Sequence, residues 1–152
     1  RQRQMCIRDR AREAQLPIII HSRDAAKDTY DVMKANRADE MGGIVHCFSY
    51  TKEMAKKFMD MGFYLGIGGV VTFSNARKLQ EVVEYMPMDK MVIETDCPYM
   101  SPVPNRGKRN DSFNLPYVVN KIAEIKGISP TEVIDITCEN AKNVYGIGRK
   151  RI

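Results

Sequence analysis

Four short apolar runs, each followed by residues at helical spacing, constrain this chain more than any other feature. PIIIH (17–21) precedes a helical stretch from about Asp24, and GIVHC (43–47) precedes one from about Lys52 with Thr51 as its N-cap. FYLGI (63–67) leads through a glycine-rich turn to a helix opening near Asn75, where Leu79, Val82, Val83 and Met86 recur until Pro87 stops it. MVIET (91–95) is the fourth run. Strand followed by helix, repeated, predicts an α/β fold with a parallel sheet. The remainder carries no fifth strand. Leu115, Val118, Val119 and Ile122 mark a helix ended by Gly127, and Ser129, Pro130 and Glu132 form a capping box that opens another. A third short helical stretch, NAKNVYG (140–146), closes the domain.

The ends of these runs carry the chemistry. His21 ends the first, His46 lies near the end of the second and Asp96 follows the last, at separations of 25 and 50 residues. In a parallel sheet or barrel the carboxyl ends of the strands form one face, so two imidazoles and a carboxylate converge there. Imidazole and carboxylate suit Zn²⁺, Mn²⁺ or Fe²⁺, and rigid strands hold such donors to the required distances. Cys47 follows His46 directly, and alternation along a strand turns it to the opposite face, against a helix and away from a metal.

Charge gives a weaker signal. The net charge of +5 invites a nucleic-acid reading, but Arg1, Arg3, Arg8 and Arg10 against Asp9 supply +3 and Arg149, Lys150 and Arg151 another +3. Residues 11–148 therefore sum to −1, and the basicity belongs to the two ends. No stretch approaches the roughly 20 apolar residues of a membrane span, so no membrane partner is expected. Cys6, Cys47, Cys97 and Cys138 are widely spaced, with no C-x-x-C pair and no apolar leader ahead of them, which points to free thiols in a reducing cytoplasmic compartment.

LPIIIHSRDA, GGIVHCFS, GFYLGIGGVVTFSNARKLQEVV, VIETDCPYMSP and RGKRND, in that order between about Ala11 and Gly146, resemble the TatD family of metal-dependent deoxyribonucleases. The resemblance implies a (β/α)8 TIM barrel of the amidohydrolase-like superfamily that cuts phosphodiester bonds in DNA with one or two divalent ions (Mg, Mn or Zn). It assigns metal ligation to His21, His46 and Asp96, with Asp96 also taking the proton of an attacking water. The family adds an H-x-H pair and a further glutamate from earlier strands that have no counterpart here. The chain is thus expected to be the C-terminal half of the barrel (11–148), with four parallel strands and closing C-terminal helices. As a half-barrel it is expected to be inactive alone and to self-associate through its exposed sheet edges. The polar, arginine-rich RQRQMCIRDR (1–10) is set apart as a non-native leader, and 149–152 as a basic tail.

Past Asp96 the chain enters a loop shaped by Pro98, Pro102 and Pro104 and carrying Arg106, Lys108 and Arg109, which are candidates for binding substrate phosphates beside the acid. The expected substrate is DNA, single-stranded or at its 3′ ends. The helix start near Asn75 and Ala76 offers N–H groups for another phosphate. GIGG (66–69) fits neither a phosphate-binding P-loop nor a dinucleotide fingerprint and reads as tight packing. Two alternatives keep parts of this picture: a metal-dependent amide or ester hydrolase, such as a D-aminoacyl-tRNA deacylase, and a non-catalytic half-barrel that binds nucleic acid.

Overall fold

The computed structural model describes residues 2–148; the basic tail at 149–152 lies outside the described residues. Helix α1 (Gln2–Glu13) leads into β1 (Ile18–His21), after which come α2 (Ala26–Ala35), β2 (Gly43–His46), α3 (Lys52–Asp60), β3 (Phe63–Ile67), α4 (Arg77–Tyr85) and β4 (Met91–Ile93). Two helices, α5 (Leu115–Lys126) and α6 (Pro130–Tyr145), complete the chain. The four strands are parallel, in the order β1-β2-β3-β4, with Ile18 opposite Gly43, Gly43 opposite Phe63 and Leu65 opposite Met91. Each crossover steps one place in the same direction. Barrels wind in this way, whereas a doubly wound sheet reverses direction at a switch point.

Alternation decides which side chains meet the helices. Val45, Phe63, Leu65, Ile67 and Met91 join Phe58, Leu79, Val82, Val83, Ile122 and Val133 in one buried cluster between sheet and helices. The other face carries Ile19, Ile44 and Tyr64 in one register row and His21 with His46 two residues further on. Thr51 caps α3 by accepting from the Met54 N–H, and Ser129 caps α6 by accepting from the Glu132 N–H, with Pro130 in the first turn. Gly127 and Gly146 end α5 and α6 in the left-handed conformation. Lys126 donates to the carbonyls of Glu84 and Met86, closing the end of α4.

Several boundaries differ from expectation for identifiable reasons. NAKNVY is no separate helix. With no Gly or Pro between Thr131 and Tyr145, α6 runs through it, and Val133, Thr137 and Asn140 form one buried stripe. Strand β4 stops at Ile93, so Asp96 lies past the strand, and β2 stops at His46, so strand alternation does not govern Cys47. Both Cys47 (φ 49°) and Asp96 (φ 53°) sit in the left-handed region, which turns the chain sharply at each strand end. Residues 2–10 continue into 11–13 as one helix; Ala11 packs on the core, and Arg12 donates to the Asn36 carbonyl at 3.0 Å. The four cysteines are free thiols, and no described helix is long and apolar enough to cross a membrane.

The free edge of β1 is flanked by a groove of about 520 Å³ lined by Ile7, Ile19, Val32 and Met33, and Ile7, Ile19 and Val32 are each more than half exposed. At the opposite edge, Asn140 donates to the carbonyls of Met88 and Met91, each at 2.7 Å, and so clamps α6 to the start of β4. Replacing Asn140 by Ala removes both bonds and leaves the Met88 carbonyl only the Met91 N–H, and urea unfolding should show a loss of about 1–3 kcal/mol. A loss under about 0.5 kcal/mol would remove this clamp from the account of stability.

Candidate metal centre

Register sets the first contact. His21 and His46 are partners across β1 and β2, and their rings stand 5.8 Å apart between centroids with a 36° tilt. His46 is half-buried and has a carboxylate at each nitrogen: Glu94 Oε2 is 2.8 Å from Nδ1, and Asp96 Oδ1 is 3.1 Å from Nε2. Glu94 also uses its second oxygen to accept the Cys47 backbone N–H at 2.6 Å. Glu94 was not among the residues singled out from the sequence. Its signal was the i, i+2 spacing with Asp96 in ETD, which puts both carboxylates on the side of His46 even after the strand has ended.

Glu94 can reach β2 only by crossing β3, which lies between β2 and β4. The crossing point is Gly66, where any Cβ would fall inside the Glu94 carboxylate. Gly69 serves the following loop in the same way, because a Cβ there would meet the Met100 carbonyl. GIGG is therefore a close-approach motif, as the absence of a phosphate-loop ending suggested.

Electrostatics follow from this geometry. Burial works against charge on His46, but the attraction and hydrogen bonds of Glu94 and Asp96 outweigh it, so its pKa is raised. Burial raises the Glu94 pKa, opposed by His46 and the Cys47 N–H. Burial, then Glu94 and Asp96, push the Cys47 thiol up to about 11, which leaves it protonated at neutral pH and a poor metal ligand.

The donor chemistry fits a divalent ion in part. Nε2 and Oδ1 at 3.1 Å are about as far apart as two donors that each bind one ion at roughly 2.0–2.2 Å. The Glu94 contact on Nδ1 is the outer carboxylate that fixes a ligating imidazole. Glu94 and Asp96 lie on opposite nitrogens of the ring and so cannot share an ion through it. His21 is exposed beside His46, and among the described residues no three His, Cys, Asp or Glu side chains form a group able to hold a metal.

The loop from Thr95 to Asn114 is tightly held. Asn110, 3% exposed, donates to the carbonyls of Thr95 (2.6 Å) and Tyr99 (2.8 Å), while its Oδ1 accepts from the Asp111 N–H and from Asn114 Nδ2. Val103 N–H donates to Thr72 Oγ1, and Ser101 Oγ donates to the Lys108 carbonyl. Arg106 stacks its guanidinium 4.4 Å from the centroid of Phe73, whereas Lys108 and Arg109 line a separate concavity. None of the three cations forms an ion pair among the described residues. The helix start proposed near Asn75 is displaced: the Ala76 N–H already bonds the Phe73 carbonyl, and α4 opens at Arg77.

The family model described as TatD related DNase matches residues 5–146. Among curated proteins, YabD of Bacillus subtilis, named an uncharacterized metal-dependent hydrolase, is 49% identical over 137 residues, covering 90% of this chain and 54% of its own length. The protein named 3′-5′ ssDNA/RNA exonuclease TatD from a Rahnella strain is 33% identical over 146 residues, covering 93% and 56% respectively. The crystal structure of YJJV, a TatD homologue from Escherichia coli K12, superposes with a TM-score of 0.84 at 26% identity over 90% of this chain and 52% of that one. The chain thus spans about half the length of the relatives it matches.

The crossing at Gly66 is testable without any activity. Gly66→Ala should force Glu94 off His46, shift the His46 imidazole signals in a heteronuclear NMR spectrum and destabilise the fold by about 1–3 kcal/mol. Unmoved His46 signals would mean that Glu94 does not hold the ring.

Proposed function

This chain belongs to the TatD related DNase family, and from that premise we propose that it forms one wall of a metal-dependent active site that hydrolyses phosphodiester bonds in DNA. The observation that carries this reading is the pairing of His46 Nε2 with Asp96 Oδ1 at 3.1 Å while Glu94 holds Nδ1. His21, His46 and Asp96 are the proposed ligands of a divalent ion, Mg²⁺, Mn²⁺ or Zn²⁺, with the remaining donors coming from the other half of a (β/α)8 barrel that continues from the free strand edges. The setting is taken as cytoplasmic.

A divalent ion bound there supplies a polarised phosphate oxygen and an acidified water. Asp96 stands at the carboxyl end of β4, where its carboxylate accepts the proton of the attacking water. Glu94 keeps the His46 ring in one orientation, and with the Nδ1 proton on the Glu94 side Nε2 is the nitrogen that would face an ion. Arg109 and Lys108, without an ion pair among the described residues, line a concavity on the loop that follows Asp96 and attract the substrate's phosphates there. The relative named as an ssDNA/RNA exonuclease favours a nucleic-acid substrate over an amide or ester.

A three-ligand wall binds metal weakly by itself, so the reading is tested at two levels. In calorimetric titration of this chain with Mn²⁺, Asp96→Asn should abolish the heat of binding, and Glu94→Gln should weaken affinity by about 10–100-fold. In the complete barrel, Asp96→Asn should lower release of nucleotides from a single-stranded oligonucleotide by more than ~100-fold with the fold intact. Undiminished release would remove Asp96 from the mechanism, and no metal-dependent release by the unsubstituted barrel would overturn the hydrolase reading.

A further inference from the structure

Phe113 is 89% exposed, an unusual place for a residue whose burial is worth about 2 kcal/mol. An isolated exposed apolar side chain needs no explanation. Phe113 is not isolated: it lines a concavity of about 310 Å³ together with Lys108, Arg109, Asp111, Asn114 and Tyr117, the last also exposed. The two cations carry no carboxylate partner among the described residues. Asp111, the one acid of the lining, is engaged as an N-cap, its Oδ1 accepting the Phe113 N–H at 3.0 Å.

The backbone that presents Phe113 is held by side-chain hydrogen bonds. The Asp111 N–H bonds Asn110 Oδ1, Asn114 Nδ2 bonds the same oxygen, and Asn114 Oδ1 accepts from Asn105. Through Asn110 Nδ2 the same network reaches the Thr95 carbonyl, one residue before Asp96. An exposed aromatic ring lining one concavity with two cations that have no ion-pair partner among the described residues, on a backbone tied to the residue beside the proposed proton acceptor, has the composition of a site where a base stacks while its phosphates are held.

We propose that Phe113, flanked by Tyr117, is a stacking platform for an unpaired nucleobase, with Lys108 and Arg109 holding the adjoining phosphates. This rests on the nuclease reading and deepens it by naming the residue that engages an unpaired base. A base inside a duplex has both faces covered by its neighbours, so only an unpaired or end base can lie on the ring.

The test is fluorescence anisotropy of the full chain with a labelled single-stranded deoxyoligonucleotide in chelator, which separates binding from cleavage. Phe113→Ala should weaken binding by about 10-fold with the salt dependence unchanged, and Phe113→Trp should restore it. Arg109→Ala should flatten the slope of log affinity against log salt by about 0.7. On an abasic oligonucleotide of equal length, the unsubstituted chain and Phe113→Ala should bind alike. Equal binding of base-bearing DNA by both, equal loss on both oligonucleotides, tighter binding of duplex, or no binding by the unsubstituted chain would each overturn the platform. None of these outcomes touches the Mn²⁺ titration that tests the metal site. Conversely, stacking without metal-dependent cleavage by the complete barrel would keep the platform and remove the hydrolase.

Discussion

The Glu94 carboxylate, laid across a gap in β3, is the interaction on which the candidate site depends. It joins the ends of two strands that are not neighbours, binding the His46 ring with one oxygen and the Cys47 N–H with the other. The gap exists because Gly66 has no side chain. A carboxylate so placed is costly to bury, and burial raises its pKa accordingly. Its hydrogen bonds to an imidazole and a backbone N–H offset that cost and hold the ring in place. Loss of either the carboxylate or the gap would leave His46 free to rotate, and the separation between Nε2 and Asp96 would no longer be set.

A second constraint acts on the loop that follows. Asp96 lies beyond the last hydrogen-bonded residue of β4, so no sheet ladder positions it. Its place is taken by Asn110, whose amide makes two bonds as donor and two as acceptor, reaching back to Thr95 and forward to Asp111 and Asn114. The loop thereby becomes a rigid part that carries the acid at one end and the aromatic and cationic surface at the other. Left-handed backbone at Cys47 and Asp96 belongs to the same arrangement, since both residues turn their strand ends toward one face.

The elements were largely legible from local pattern. FYLGI is β3 residue for residue, the Thr51 and Ser129 caps are where the side-chain chemistry put them, and Gly127 ends α5. NAKNVY belongs to α6 and forms no separate helix, and Asn140 is polar and buried because it bonds the carbonyls of Met88 and Met91. At the site, His46 and Asp96 come together as their strand-end positions implied, and His21 takes its place beside His46 in register while remaining exposed. Arg106 was grouped with Lys108 and Arg109 by sequence proximity alone. In the fold it turns to the Phe73 ring and parts from them.

By itself the sequence determined which segments are strands and helices, that the strands run parallel, and that two histidines and an acid stand at the same end of them. These follow from periodicity, capping and chain direction, all of which are local. Tertiary structure decided that Glu94 crosses β3 to orient His46, that Asn110 anchors the loop, and that Phe113 stands outward in one concavity with Lys108 and Arg109. Each of those depends on which residues distant in the chain come within hydrogen-bonding distance, and on the missing side chain of a glycine in a strand between them.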